Sequence, residues 1–132
     1  MAGEKKIFVA DDDEIVFTGL KRLLELSGFN VHGCQKSNEV VAVIKATNPD
    51  VIILDLLMPG LSGFDICAQL NNDPQTQGIP IIVTSALAAY TDIKKAYQLG
   101  IVSYFTKPYD FQKLLEEIKE IIASKNAGGP CL

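Results

Sequence analysis

The sequence predicts an α/β fold: one domain built as a doubly wound parallel sheet of five strands with five helices. Three observations predict it. A chain of 132 residues matches one domain and is long enough for a layered core without disulfides or a structural metal. Short apolar runs, "IFVA", "VIILD", "IIVTS" and "VSYF", alternate with longer segments of helical periodicity, the pattern of parallel strands buried on both faces by their crossover helices. Breaker residues, among them Gly28, Asn48-Pro49, Asp73-Pro74 and Gly100, fall where each helical segment should stop.

Taken in order, the first strand is "IFVA". It is followed by a helix in which Val16, Leu20, Leu23 and Leu24 recur at helical spacing, with Gly28 placed to end it. A weaker second strand lies near "NVHGC". The segments "SNEVVAVIKAT", "GFDICAQLNN" and "TDIKKAYQLG" supply three further helices, each preceding one of the remaining strands. Phe111, Leu114, Leu115, Ile118, Ile121 and Ile122 form the stripe of the last helix. Right-handed crossovers wind these units on both sides of one sheet, and function then gathers at the carboxyl ends of the strands. The sequence shows no internal repeat, and "NAGGPCL" reads as a flexible tail without function.

Composition removes several classes of function. A net charge of -4 opposes direct nucleic-acid binding, which takes a basic face. No apolar run is long enough to span a bilayer and no signal-peptide pattern opens the chain, so a soluble cytoplasmic protein is expected. Cys34, Cys67 and Cys131 lack C-x-x-C spacing and are odd in number; they read as reduced thiols. His32 is the only histidine, and a strand-edge or surface role suits it better than a metal site or a catalytic triad.

The chemistry-bearing residues lie at the strand ends. Strand one runs into "ADDDE", strand three ends in Asp55, strand four in "TS", and strand five enters "TKP". A buried carboxylate is costly unless it is exposed at the tip, paired, or bound to a cation. Asp11, Asp12 and Asp55 on neighbouring strand ends would repel one another strongly without a cation among them, and hard oxygen ligands suit Mg²⁺. Asp13 and Glu14 are better read as serving the positive end of the first helix, Asp13 as its cap.

In this order and spacing, "FVADDD", "VIILDLLMPGLSG", "PIIVTSA" and "YFTKP" resemble the receiver domain of two-component response regulators, over residues 6–125, with 126–132 left as the tail. Four linked motifs are far more specific than one. The resemblance implies a flavodoxin-like sheet of order 2-1-3-4-5 and makes Asp55 the phosphoacceptor, a nucleophile toward a phosphohistidine on a histidine kinase or phosphotransfer protein. Mg²⁺, or Mn²⁺, would be held by Asp11, Asp12, Asp55 and the backbone carbonyl of Leu57, with Asp12 a direct ligand. Ser85 takes the place of the hydroxyl that bonds the phosphoryl group, Thr84 standing one residue too early, and Lys107 that of the lysine paired with it.

Further implications of the resemblance are a cis Lys107-Pro108 bond and a switch in which Tyr104 turns inward as Ser85 moves. That motion reshapes the face of the fourth helix, fifth strand and fifth helix, toward a downstream effector or a homodimer. Met58, Pro59, Gly60 and Gly63 would serve the loop rather than the chemistry. Such a chain catalyses its own phosphorylation and dephosphorylation as a signalling switch. Two rivals fit less well: a haloacid-dehalogenase-type phosphatase would need a second acid where Leu57 stands, and a nucleotide-binding domain a glycine-rich turn where "ADDDE" stands. A receiver-like module that is never phosphorylated would keep the fold while losing acidic or lysine positions, all of which are present here.

Overall fold

The computed structural model describes residues 4–126. Asn126 ends the last helix, and the remainder of the expected tail, with Cys131, lies outside the described residues. The elements are β1 (Lys6–Ala10), α1 (Glu14–Leu26), β2 (Asn30–Cys34), a 3₁₀ turn (Ser37–Glu39), α2 (Val40–Thr47), β3 (Val51–Asp55), α3 (Gly63–Asn72), β4 (Ile81–Ser85), α4 (Tyr90–Gln98), β5 (Ser103–Thr106) and α5 (Phe111–Asn126). All neighbouring strands are parallel, in the order β2-β1-β3-β4-β5. The doubly wound α/β sheet expected from the sequence is the observed one.

Strand alternation divides the core into two layers. Ile7, Val9, Val51, Ile53 and Ile82 pack with Leu20 and Leu24 of α1 and Leu114 and Ile118 of α5. Their strand neighbours Phe8, Ala10, Ile52, Leu54, Ile81 and Val83 pack on the opposite side against α2, α3 and α4, through Val40, Ile44, Ile66, Leu70 and Ala96. Every residue of β3 and β4 is buried, so both strands must be apolar until their ends. Burial of each large side chain contributes roughly 1.5–3 kcal/mol, and the paired layers leave only the sheet's rims for polar groups.

Two details depart from the sequence reading. Leu23 was expected in the buried stripe of α1 but is 44% exposed, whereas Leu20 and Leu24 are buried; the helix rests on a narrower face than its periodicity suggests. The segment expected as one helix from Ser37 begins instead as a 3₁₀ turn, and α2 starts at Val40. Stops fall as read: Gly28 follows α1 at φ +99°, a conformation that glycine adopts without a Cβ penalty, and Asn48 closes α2 in the left-handed region.

Candidate functional site

The register sets the site before any side chain is considered. Ala10 lies opposite Leu54, so Asp11 and Asp55 leave adjacent strands at the same level. Asp55 is in turn opposite Thr84, and Ser85 is opposite Thr106, one residue before Lys107. Four consecutive strands thus deliver polar residues to one rim.

At that rim Asp11 and Asp55 are 2% and 4% exposed, and Lys107 bridges them: its Nζ lies 2.9 Å from Asp11 Oδ2 and 3.1 Å from Asp55 Oδ2. The other oxygens are held by backbone. The Asp13 N–H donates to Asp11 Oδ1 at 2.9 Å, and the Leu57 N–H to Asp55 Oδ1 at 2.9 Å. Asp12 is exposed, and one carboxylate oxygen each from Asp11, Asp12 and Asp55 lie within 4.8 Å of one another. Asp13 is not a member of this group; it caps α1, accepting from the N–H groups of Ile15 and Val16, which separates its role from that of its neighbours.

Burial raises the pKa of Asp55; the Leu57 N–H and Lys107 oppose the shift and the charge of Asp11 adds to it. For Lys107 burial acts downward, but the hydrogen bond to Asp11 and the charges of Asp55 and Asp11 outweigh it, and its pKa lies above the ordinary value. The group is therefore a short-range ion cluster with more negative than positive charge. Three hard oxygen donors that close together fit a small divalent cation.

Ser85 is fully buried at the end of β4, where its Oγ accepts from the Leu87 N–H at 3.1 Å. Its hydroxyl also lies against that of Tyr104. Tyr104 is half-buried, packs against the α2–α4 layer, and donates to the Leu87 carbonyl at 2.7 Å. Burial raises its pKa. Ser85 makes no hydrogen bond to Asp55 among the described residues, so the expected residues form two linked groups: Asp11, Asp12, Asp55 and Lys107 around the ion cluster, and Ser85 with Tyr104 beside it. Lys107 ties them together, since its N–H donates to the Ser85 carbonyl at 2.8 Å. The Lys107-Pro108 peptide is cis.

Sequence reasoning missed Ser37. Buried in the 3₁₀ turn, it donates to the Pro59 carbonyl at 2.7 Å and accepts from the Leu61 N–H at 2.8 Å. A serine opening a helical segment reads as its cap, and nothing local signals a partner more than twenty residues away. An apolar groove beside the site, lined by Ile15, Val16, Leu23, Pro108 and Phe111, was also unforeseen. Its sequence signal was an excess of apolar residues on α1 over what one buried face can hold.

The family model described as the response regulator receiver domain matches residues 7–119. The chain is 33% identical to the protein PilH of Pseudomonas aeruginosa over 118 residues, 89% of this chain and 98% of that protein. It is 30% identical to the phosphate regulon transcriptional regulatory protein PhoB of Rhizobium meliloti, over 89% of this chain but 52% of that one. The chain thus spans about half the length of PhoB, as it does of the transcriptional regulator RpaA of Synechocystis. In fold it superposes on the CheY-like receiver domain protein of Methanospirillum hungatei with a TM-score of 0.89 at 24% identity, covering 96% of this chain and 100% of that one.

Proposed function

The chain belongs to the response regulator receiver domain family, and from that premise we propose that it is a phosphoacceptor whose nucleophile is Asp55. The observation that carries this reading is the ammonium of Lys107 bridging Asp11 and Asp55, with Asp12 completing an oxygen cluster at the strand tips. One Asp55 oxygen attacks the phosphorus of a phosphohistidine on a histidine kinase or phosphotransfer protein. The P–N bond breaks, its electron pair stays with the imidazole nitrogen, which takes up a proton, and Asp55 becomes an acyl phosphate.

Lys107 already stands where the transferred group would arrive and pairs with its oxygens; Ser85 donates its hydroxyl to another. Mg²⁺, or Mn²⁺, held by Asp11, Asp12, Asp55 and the Leu57 carbonyl, would offset the charge gathering on the phosphoryl oxygens. Burial helps the chemistry by excluding water and by keeping the Asp55 carboxylate more basic than a free one.

The phosphotransfer unit of this reading spans residues 6–125. Because Ser85, Leu87 and Tyr104 share hydrogen bonds, moving the Ser85 hydroxyl toward phosphate disturbs the tyrosine and with it the face of α4, β5 and α5. Exposed Tyr90, Tyr97 and Val102 border that face and support its use by a downstream effector or a second copy. The apolar groove beside Lys107 supports docking of the phosphodonor. No described helix is long and apolar enough to cross a membrane, which is compatible with the cytoplasmic setting that a kinase partner requires.

Intact mass measurement after incubation with acetyl phosphate and Mg²⁺ tests the assignment. One adduct labile to hydroxylamine is expected on the wild type and none on Asp55→Asn. An equal mass gain in the variant overturns it, and a wild type that takes no phosphate from acetyl phosphate or a kinase points to an interaction module instead.

A further inference from the structure

We propose that Ser37 is a positioning residue for this site, bracing the β3–α3 loop that carries Leu57; the inference rests on the metal site of the proposed function, not on the phosphotransfer step. Ser37 is 3% exposed, although it opens a 3₁₀ turn that its side chain does not cap. Its hydroxyl is spent elsewhere. It donates to the carbonyl of Pro59 at 2.7 Å and accepts from the N–H of Leu61 at 2.8 Å. Those groups flank Gly60, which has φ +95°, so the hydroxyl sits in the concave side of the turn. A Cβ on Gly60 would lie 2.7 Å from Ser37 Oγ.

The turn starts two residues beyond Leu57, whose N–H holds Asp55 Oδ1 and whose carbonyl is the proposed metal ligand. Ser37 also lines a cleft with Asp12, Asn38, Pro59 and Gly60, which places the brace between the loop and the exposed member of the acidic cluster. Without the hydroxyl, the Pro59 carbonyl and the Leu61 N–H lose their shared partner on a part-exposed loop, where only water can replace it. The loop then relaxes to find water, and the Leu57 carbonyl moves with it. Partners bonded directly to a metal ligand typically change affinity about 10–100-fold; Ser37 acts through Pro59 and Leu61, one step further out, so its effect should lie at the low end of that range.

The test uses the full chain and Mg²⁺ alone, without a phosphodonor. Calorimetry should give Ser37→Ala a Kd weaker by up to about tenfold, and amide exchange should quicken from Leu57 to Leu61. Thr76→Ala is the control: it removes another buried hydroxyl, one that donates to the Leu70 carbonyl at 2.8 Å beyond the far end of α3, and should lower stability without changing the Mg²⁺ affinity. Ser37→Cys keeps the shape while weakening both hydrogen bonds, so it reads the effect even where the alanine variant fails to fold; its affinity should lie below that of wild type. Mg²⁺ binding at wild-type strength in Ser37→Cys and in folded Ser37→Ala overturns the positioning role, as does an equal loss in Thr76→Ala. A wild type that binds no Mg²⁺ overturns the metal site and the role together, whereas failed phosphorylation with normal Mg²⁺ binding overturns the phosphoacceptor reading and leaves the brace standing.

Discussion

Replacing Asp55 by asparagine should make the metal-free protein more stable and the response to Mg²⁺ smaller. One carboxylate oxygen each from Asp11, Asp12 and Asp55 lie within 4.8 Å of one another, and two unit charges at that distance repel by ~3.5 kcal/mol at an effective dielectric constant of about 20. Lys107, at 3.1 Å from Asp55, returns ~5 kcal/mol on the same scale. Asp55 therefore meets two repulsions and one attraction, with a burial penalty added, and solvent around exposed Asp12 screens much of that residue's share. A net gain of about 1 kcal/mol remains for the variant, worth roughly 3–5 °C in a domain of this size. Asparagine keeps an oxygen for the Leu57 N–H but presents its NH2 where Oδ2 accepts from Lys107, so the comparison removes the charge together with that hydrogen bond.

The pH dependence has a definite sign. A carboxylate whose pKa is raised by folding binds its proton more tightly in the native state, so its destabilisation is absent below the unfolded value of about 3.9 and grows as pH rises through the native value. The difference between wild type and Asp55→Asn should therefore close in acid and be complete at neutral pH. Adding Mg²⁺ at about ten to a hundred times its Kd stabilises the wild type by roughly 1.4–2.7 kcal/mol; Asp55→Asn and Asp12→Asn should gain less, and Asp13→Asn, a cap variant, should gain as much as the wild type. Thermal melts with EDTA and with Mg²⁺ measure all of this. Equal metal-free melting temperatures at pH 7, or an Mg²⁺ response lost in Asp13→Asn and kept in Asp12→Asn, would refute the reasoning.

Lys107→Met leaves two buried carboxylates without their cation and should cost roughly 2 kcal/mol in urea unfolding without metal, less than a fully buried pair because the lysine side chain is 23% exposed; a loss below about 0.5 kcal/mol contradicts the bridge. Since the Lys107 pKa is raised by folding, its contribution is complete at neutral pH and should disappear as pH climbs past the lysine range, which alkaline unfolding curves would register. Tyr104→Phe removes the bond to the Leu87 carbonyl, costing about 1 kcal/mol. It should retain acetyl phosphate labelling but lose the phosphate-dependent change in amide exchange on α4, and unaltered exchange changes would exclude the tyrosine from the switch. The Cys67 thiol, buried and pushed up to about 12, should resist alkylation at pH 8 in the native protein and react in urea, as peptide mass mapping would show.

How much of this was legible in the sequence depends on how local the cause is. β3 and β4 announced themselves because burial on both faces forces continuous apolar runs. β2 was faint because it is an edge strand with only Val31 buried. Asp13 was separable from Asp11 and Asp12 because capping is a short-range geometry. Leu23 was misplaced, since periodicity gives the direction of a side chain on its helix but not the width of the face that the sheet covers. The pairing of Lys107 with Asp11 spans 96 positions and became visible only through the linked motifs, and the brace from Ser37 to Pro59 and Leu61 carried no motif at all.

The order of strands also fixes the order in which the molecule can be completed during synthesis. In chain order the partners of β1 are made next, β2 on one side and β3 on the other, and β4 and β5 each flank the strand made before them. The carboxylate of Asp55 precedes its ammonium partner by 52 positions, an interval of about 3–10 s at typical translation speeds of roughly 5–20 residues per second. Throughout that interval Asp55 lacks the ammonium that pairs with it, and β5, with which β4 will pair, has not been completed. A chain halted before Thr106 would therefore hold the acidic residues of the rim without the lysine that bridges them.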